Sequence, residues 1–334
     1  MAQCAVPVSM GLCGRLRFDR SFFLFGEQAL AGVVICDLSQ IIGDVMVFYR
    51  SSPHRIDALS RCDMLCMLWV HERRLTVHSV FQHACNLATP DGPLTAFLTR
   101  SAPLAPASMR LDCDDLRLWL KAGQAVAVTG EGRCIAPQLD IRFAEARVCS
   151  TRLVRGNDEV DGGALLSALR RFLPASAPEH GLWRQMTDST LRIDSIRRAV
   201  AQLKGWLERS EGEPASFLPQ LVGFGSGLTP SADDFLLGCL WVMDGWRMTQ
   251  RPQFVEALLP LLTRTTDVSR AMLTFGCEGH YGEALLALFK AAPLALDAAL
   301  SRAVNYGHSS GHDMLYGAAF ALGCLPLPAR RDAV

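Results

Sequence analysis

The 334-residue sequence has no excess of charge of either sign: Lys+Arg and Asp+Glu each number 33. A partner held by bulk positive potential, nucleic acid above all, is therefore not expected. No apolar run approaches the roughly 18 residues a membrane-spanning helix needs. The longest candidate, Phe235 to Met243, contains Gly238 and stops at Asp244. The opening residues Met1-Ala2-Gln3-Cys4-Ala5-Val6 carry no basic segment, so a secretory signal is not expected. None of the 12 cysteines forms a Cys-x-x-Cys pair; the nearest spacing is Cys62-x3-Cys66. Set among apolar neighbours, as in Val34-Ile35-Cys36 and Gly238-Cys239-Leu240, they read as reduced small hydrophobes of a cytoplasmic protein. A Gly-x4-Gly-Lys-Ser/Thr loop is missing, which removes the ordinary P-loop. Gly225-Ser226-Gly227 lacks the spacing of a nucleophile elbow, which counts against an α/β-hydrolase.

What is present is a folded chain long enough for two domains, half apolar and 20% charged. The first half is β-rich. Val45 to Tyr49, Leu75 to Phe81, Leu94 to Leu98 and Ala125 to Thr129 read as strands. Gly130-Glu131-Gly132 is a turn, and Arg133 to Ile141 returns as the hairpin partner. The spacing of Leu116, Trp119 and Leu120 predicts a helix over Asp112 to Leu120. The period then changes. Helices fit Gly162 to Leu173, Ile196 to Leu207, Asp233 to Arg247, Phe254 to Thr263, Ser269 to Phe275, Glu283 to Lys290, Leu294 to Val304 and Asp313 to Leu322. Strands and helices in separate blocks argue α+β, a β-rich half followed by a mostly α-helical half. The polar turn Arg155-Gly156-Asn157-Asp158 divides the chain into domains 1–156 and 157–334.

The most informative segment runs Gly223-Phe224-Gly225-Ser226-Gly227-Leu228-Thr229-Pro230-Ser231-Ala232-Asp233-Asp234. Three glycines at alternate positions suit a loop with positive φ or a close backbone approach. Thr229 before Pro230 fits an N-cap and first-turn proline; Ser231 with Asp234 fits a capping box one step later. Either way a helix starts here, its free N–H groups facing the glycine loop, and such an end binds anions. Gly307-His308-Ser309-Ser310-Gly311-His312-Asp313 is a shorter echo. Ser231-x-x-Asp234-x-Leu236-x-Gly238 matches Ser310-x-x-Asp313-x-Leu315-x-Gly317. Two such helix starts suit a single pocket.

Caps and packing glycines explain each part separately; their recurrence as a pair favours function. Asp233 and Asp234 would repel an anion unless neutralised. Either Asp234 caps its helix while Asp233 faces the site, or Asp233, Asp234 and Asp313 hold Mg²⁺. His308 is the better candidate proton donor; His312 has the alternative of a solvent-facing first-turn residue. Thr265, Thr266 and Ser269 form a second N-cap region able to lend hydroxyls. His78 and Ser79 lie on a strand whose alternation puts them on opposite faces, so adjacency does not make them a nucleophile–base pair.

At Gly225-Ser226-Gly227-Leu228-Thr229-Pro230-Ser231-Ala232-Asp233-Asp234 the sequence resembles the AllH-type subunit of oxamate carbamoyltransferase. Val77-His78-Ser79-Val80-Phe81 with Asn86-Leu87, Thr265-Thr266-x-x-Ser269 and Gly307 to Asp313 extend the resemblance from about residue 75 almost to the C-terminus. It departs from the family pattern at Ala232, where glycine is usual, and at His312, where a small hydroxyl residue is usual. The resemblance implies a role in allantoin catabolism: oxalurate and phosphate giving oxamate and carbamoyl phosphate, with companion subunits. Gly225, Ser226, Gly227, Thr229, Ser231, Ser309, Ser310, Gly311 and Asp313 are then the candidate binding residues, and His308, Asp233 and Asp234 the candidate catalytic ones. With no obvious covalent nucleophile, direct transfer between bound substrates is the expected mechanism. The competing readings are a non-catalytic subunit binding an anion or nucleotide, and a Mg²⁺-dependent phosphotransferase. The second is disfavoured because Lys204 and Lys290 sit on helix bodies away from the motifs.

Overall fold

The computed structural model describes residues 53–69, 73–89, 92–188, 190 and 193–326, with two strand pieces upstream. Those pieces, Val33–Val34 (β1) and Phe48–Tyr49 (β2), pair antiparallel. Residues 45–47 of the expected first strand lie outside the described residues. Residues 1–52 form one unit and 53–334 a second, compact one.

The second unit opens with a barrel. Its strands are His54–Cys62 (β3), Arg73–Val80 (β4), Ala84–Thr89 (β5), Gly92–Leu98 (β6), Ser108–Leu111 (β7), Ala125–Thr129 (β8), Arg133–Ala136 (β9) and Leu139–Arg142 (β10). Neighbours run β10-β9-β8-β4-β5-β6-β7-β3, and β3 pairs back onto β10 in parallel, which removes both open edges. A short strand, Arg147–Cys149 (β11), continues along the same β3. A six-residue helix, Asp63–Leu68 (α1), follows β3. Alternation fills the interior: Leu75, Val77, Cys85, Leu87, Phe97, Met109, Val126 and Cys134 are buried. The expected return over Arg133 to Ile141 is two strands, broken at Pro137 and Gln138.

The expected helix over Asp112 to Leu120 is not formed. Only Leu116–Leu118 makes a 3-10 turn, capped by Asp115. Leu116 N–H donates to the Gln82 carbonyl instead of continuing a helix, so its apolar face is buried by a tethered loop.

The helical half comprises Gly162–Ala175 (α2), Leu182–Thr187 (α3), Asp194–Arg209 (α4), Pro214–Leu221 (α5), Ser231–Gly245 (α6), Arg251–Leu258 (α7), Asp267–Cys277 (α8), Glu283–Phe289 (α9), Leu296–Val304 (α10) and Ser310–Gly323 (α11). The expected helix to Thr263 ends at Leu258 and tightens into a 3-10 segment, Leu259–Arg264, that starts beside Pro260. α6 and α11 are buried almost all round, as a central pair should be. Barrel and helices join through several bonds. Ala271 and Phe275 of α8 enter the barrel core. Leu104 N–H donates to Glu283 Oε2 (2.9 Å), and Glu283 N–H donates to the Leu104 carbonyl (2.8 Å).

Every described cysteine is a free thiol, and eight of these nine are at least partly buried. No described helix is long and apolar enough to cross a membrane.

Candidate functional site

The two Ser-x-x-Asp-x-Leu-x-Gly segments begin α6 and α11, and the helices lie side by side with their starts at the same end. The contacts are reciprocal. A Cβ on Gly238 would fall 2.0 Å from the Met314 carbonyl oxygen, and one on Gly317 would fall 2.0 Å from that of Phe235. The Ser231 hydroxyl of α6 lies near Asp313 of α11, and the Ser310 hydroxyl of α11 near Asp234 of α6, each drawing the carboxyl's pKa down. The repeated sequence is thus a repeated structure, related by a local two-fold. Thr229 and Ser310 hydroxyls bond at 2.8 Å and tie the two approaches together. Neither Thr229 nor Ser231 caps α6: the N-cap position is Pro230, with no side-chain hydrogen bond.

The carboxylates turn inward. Asp234 and Asp313 are 2% and 0% exposed. Asp313 accepts from Leu182 N–H at 2.8 Å and so caps α3 from a distant helix. Burial pushes its carboxyl up to about 6. Burial, reinforced by the nearby Asp313 charge and opposed by the Ser310 and Thr229 hydroxyls, holds Asp234 well above the usual carboxylate range. Oδ2 of each keeps no hydrogen bond. Among the described residues, no group of three His, Cys, Asp or Glu side chains could hold a metal ion.

Asp233 does something different. Its Oδ1 accepts from Gly223 N–H (2.8 Å), and its Oδ2 accepts from Ser269 Oγ (2.7 Å) and Thr265 Oγ1. Thr266 Oγ1 donates to the Leu228 carbonyl. The glycine loop is therefore stapled at both ends to the start of α8. Gly223, Gly225 and Gly227 all adopt positive φ, 79°, 124° and 92°. A Cβ at Gly225 would sit 2.5 Å from Ser231 N. Ala232 N–H donates to the Phe224 carbonyl at 3.0 Å, so the loop itself occupies part of the helix end that was expected to be free. Gly225, Ser226 and Gly227 remain exposed. Asp233→Ala removes the acceptor of the Gly223 N–H and of both hydroxyls, and each buried donor left unsatisfied costs about 1–3 kcal/mol. Hydrogen exchange at the Gly223 amide is expected to speed accordingly; unchanged protection would remove Asp233 as the loop's anchor.

On the second approach, His308 is exposed and Ser309 half-buried. Gly311 is a packing glycine, its missing Cβ lying 2.3 Å from the Ala303 carbonyl oxygen. His312 is not solvent-facing. It is 1% exposed, its Nε2 lies 3.0 Å from the Leu173 carbonyl, and burial pushes its pKa down.

The barrel contributes a pair that alternation had separated. Register along β4 and β5 shifts between Val77 and Ser79, with Val77 opposite Leu87 and Ser79 opposite Asn86. Such a bulge sets two residues against one and re-aims both side chains. His78 Nδ1 lies 3.1 Å from Ser79 Oγ. Asn86 Nδ2 donates to the same Oγ at 2.9 Å. On its other side, His78 Nε2 lies 3.4 Å from Asp267 Oδ2 at the start of α8. The opposite-faces expectation for His78 and Ser79 is therefore wrong. The available signal was the match of Val77-His78-Ser79 and Asn86 to the resembled family, which sequence periodicity overruled.

No curated protein and no solved structure matches the chain. A family model described as AllH family N-terminal domain matches residues 57–148, which hold His78, Ser79 and Asn86. A second, described as oxamate carbamoyltransferase subunit AllH, matches residues 221–322, from the glycine loop through most of α11. With both the barrel and the paired motif helices inside those matches, the chain belongs to the AllH family of oxamate carbamoyltransferase subunits.

Proposed function

We propose that this subunit binds the small anions of a carbamoyl transfer, oxalurate with phosphate and oxamate with carbamoyl phosphate, at the end where α6 and α11 start. One observation carries the reading: the local two-fold, locked by the Thr229–Ser310 bond, brings the exposed loop Gly225–Gly227 and the His308–Ser309 approach to the same end. The loop's exposed backbone N–H groups suit a carboxylate or phosphate. Carbamoyl transfer passes through a tetrahedral oxyanion; each N–H donor aimed at it is worth about 10²–10³-fold in rate. His308 supplies a proton donor at the exposed rim. Companion subunits complete the enzyme, which acts in the cytoplasm.

Thermal shift tests this on the chain and on the complex it co-purifies with. At 100 times its Kd a ligand stabilises by about 2.7 kcal/mol. Carbamoyl phosphate and oxamate are expected to raise Tm. His308→Ala should weaken carbamoyl phosphate by about 10–100-fold, the loss of one charge-assisted hydrogen bond. Equal affinity in the variant would sink the role of His308, and no shift with any of these anions would sink the site.

A further inference from the structure

We infer that Ser79 is a nucleophile that carries the transferred group covalently, with His78 as its base and Asp267 positioning that base. With a neutral His78, the donor and acceptor chemistry of the four side chains leaves one arrangement. Asn86 Nδ2 can only donate, so Ser79 Oγ accepts from it and has its own proton free. The Asp267 carboxylate can only accept, so His78 Nε2 carries the ring proton and faces it at 3.4 Å. Nδ1 is then an unprotonated acceptor 3.1 Å from Ser79 Oγ, placed to take the hydroxyl proton. This is the nucleophile, base and orienter sequence that activates serine in hydrolases. Hydrogen bonds of this kind are often loose before substrate binds.

The surroundings suit the chemistry. His78, Asp267 and Arg270 line one cleft between barrel and helices, and Arg270 ion-pairs with the Asp267 oxygen that does not face His78, which holds that carboxylate in place. Thr266, next to Asp267, holds the glycine loop through the Leu228 carbonyl. Relay and loop are thus fixed to the same helix start. The strand on either side of the bulge keeps its pairing.

That the carried group is carbamoyl rests on the function proposed above. Ser79 Oγ attacks the carbamoyl carbon of an N-carbamoyl amide while its proton passes to His78 Nδ1. The tetrahedral centre collapses, the C–N bond breaks, and His78 returns the proton to the departing amide nitrogen. Ser79 then holds a carbamate ester. An oxygen of hydrogen phosphate attacks that carbon, its proton passing through His78 to the departing Ser79 oxygen. Carbamoyl phosphate leaves and the hydroxyl is restored, with no redox change.

The test uses 4-nitrophenyl carbamate on the full chain, reading nitrophenolate release and peptide mass. A stoichiometric burst is expected, with one carbamoyl group on the peptide bearing Ser79. Ser79→Ala should form no such adduct, and His78→Ala should slow it by about 10²–10⁴-fold. Asp267→Asn should slow labelling without weakening probe binding, and Asp267→Glu should restore part of the rate; melting curves of each variant show that it folds. No adduct in the wild type, an adduct on exposed Cys66 instead, or an unchanged rate in Ser79→Ala overturns the proposal. Anion binding by thermal shift without an adduct leaves the function above standing and removes the nucleophile. An adduct without anion binding does the reverse.

Discussion

Gly238→Ala and Gly317→Ala are each expected to lower the stability of the fold by about 3 kcal/mol or more, the upper end of what overpacking usually costs. The reason is the atom each methyl would meet. In both cases it is a backbone carbonyl oxygen of the opposite helix, 2.0 Å away. A side chain can rotate aside, but a helix carbonyl moves only with its helix. The two-fold makes the two substitutions equivalent, so their urea midpoints should fall together. It also makes them non-additive. Once one methyl has parted α6 from α11, the second finds the space already opened, and the double variant should lose less than twice as much. Additive losses would mean that the helices adjust independently and that the close approach is not shared.

Asp313→Asn stabilises the protein at neutral pH and flattens its dependence on pH. The carboxyl titrates at about 6 in the folded chain against an ordinary value of 3.8. Between those values the native state holds a proton that the unfolded state has released, so stability falls as pH rises through that window. Above it the full penalty, about 3 kcal/mol, is present. Below about pH 4 both states are protonated and the penalty is absent. Asparagine is uncharged throughout and keeps an oxygen for Leu182 N–H, the bond that starts α3. The gain at pH 8 is expected to approach that 3 kcal/mol, reduced by burying the extra amide donors. The measurement is urea unfolding of both proteins from pH 4 to pH 8. A difference that stays constant across the range would show that folding does not shift the Asp313 pKa.

Much of this fold was legible in the sequence because its signals are local. Alternation marked β4 and β8, and helical spacing marked α2, α4 and the pair α6 and α11. The duplicated Ser-x-x-Asp-x-Leu-x-Gly pointed to two helix starts meeting, which is how α6 and α11 pack. Other features depended on long-range partners. Leu116, Trp119 and Leu120 share a helical spacing, yet the Gln82 carbonyl captures Leu116 N–H and the helix never forms. The glycine loop's staples come from Thr265, Thr266 and Ser269, more than 30 residues downstream of the loop. His78 and Ser79 failed through a local rule taken too strictly. A single bulge converts opposite faces into one, and nothing in the alternation of β4 announces it. The inward turn of Asp233, Asp234 and Asp313 likewise follows from burial, which composition does not reveal.

The exchange between α6 and α11 bears on how the chain is made. Gly238 receives the Met314 carbonyl, and Gly317 that of Phe235, so each motif is finished only by the other. On the ribosome the barrel strands emerge complete by Cys149, whereas the helical core must wait for Ser310–Gly323. Until then Gly238 faces no carbonyl, and α6, apolar on nearly every side, lacks the cover of α11. That interval is when a companion subunit or chaperone would find the widest sticky surface. Pulse-labelled nascent chains stalled before residue 310 should bind holdases, and chains released past residue 323 should not.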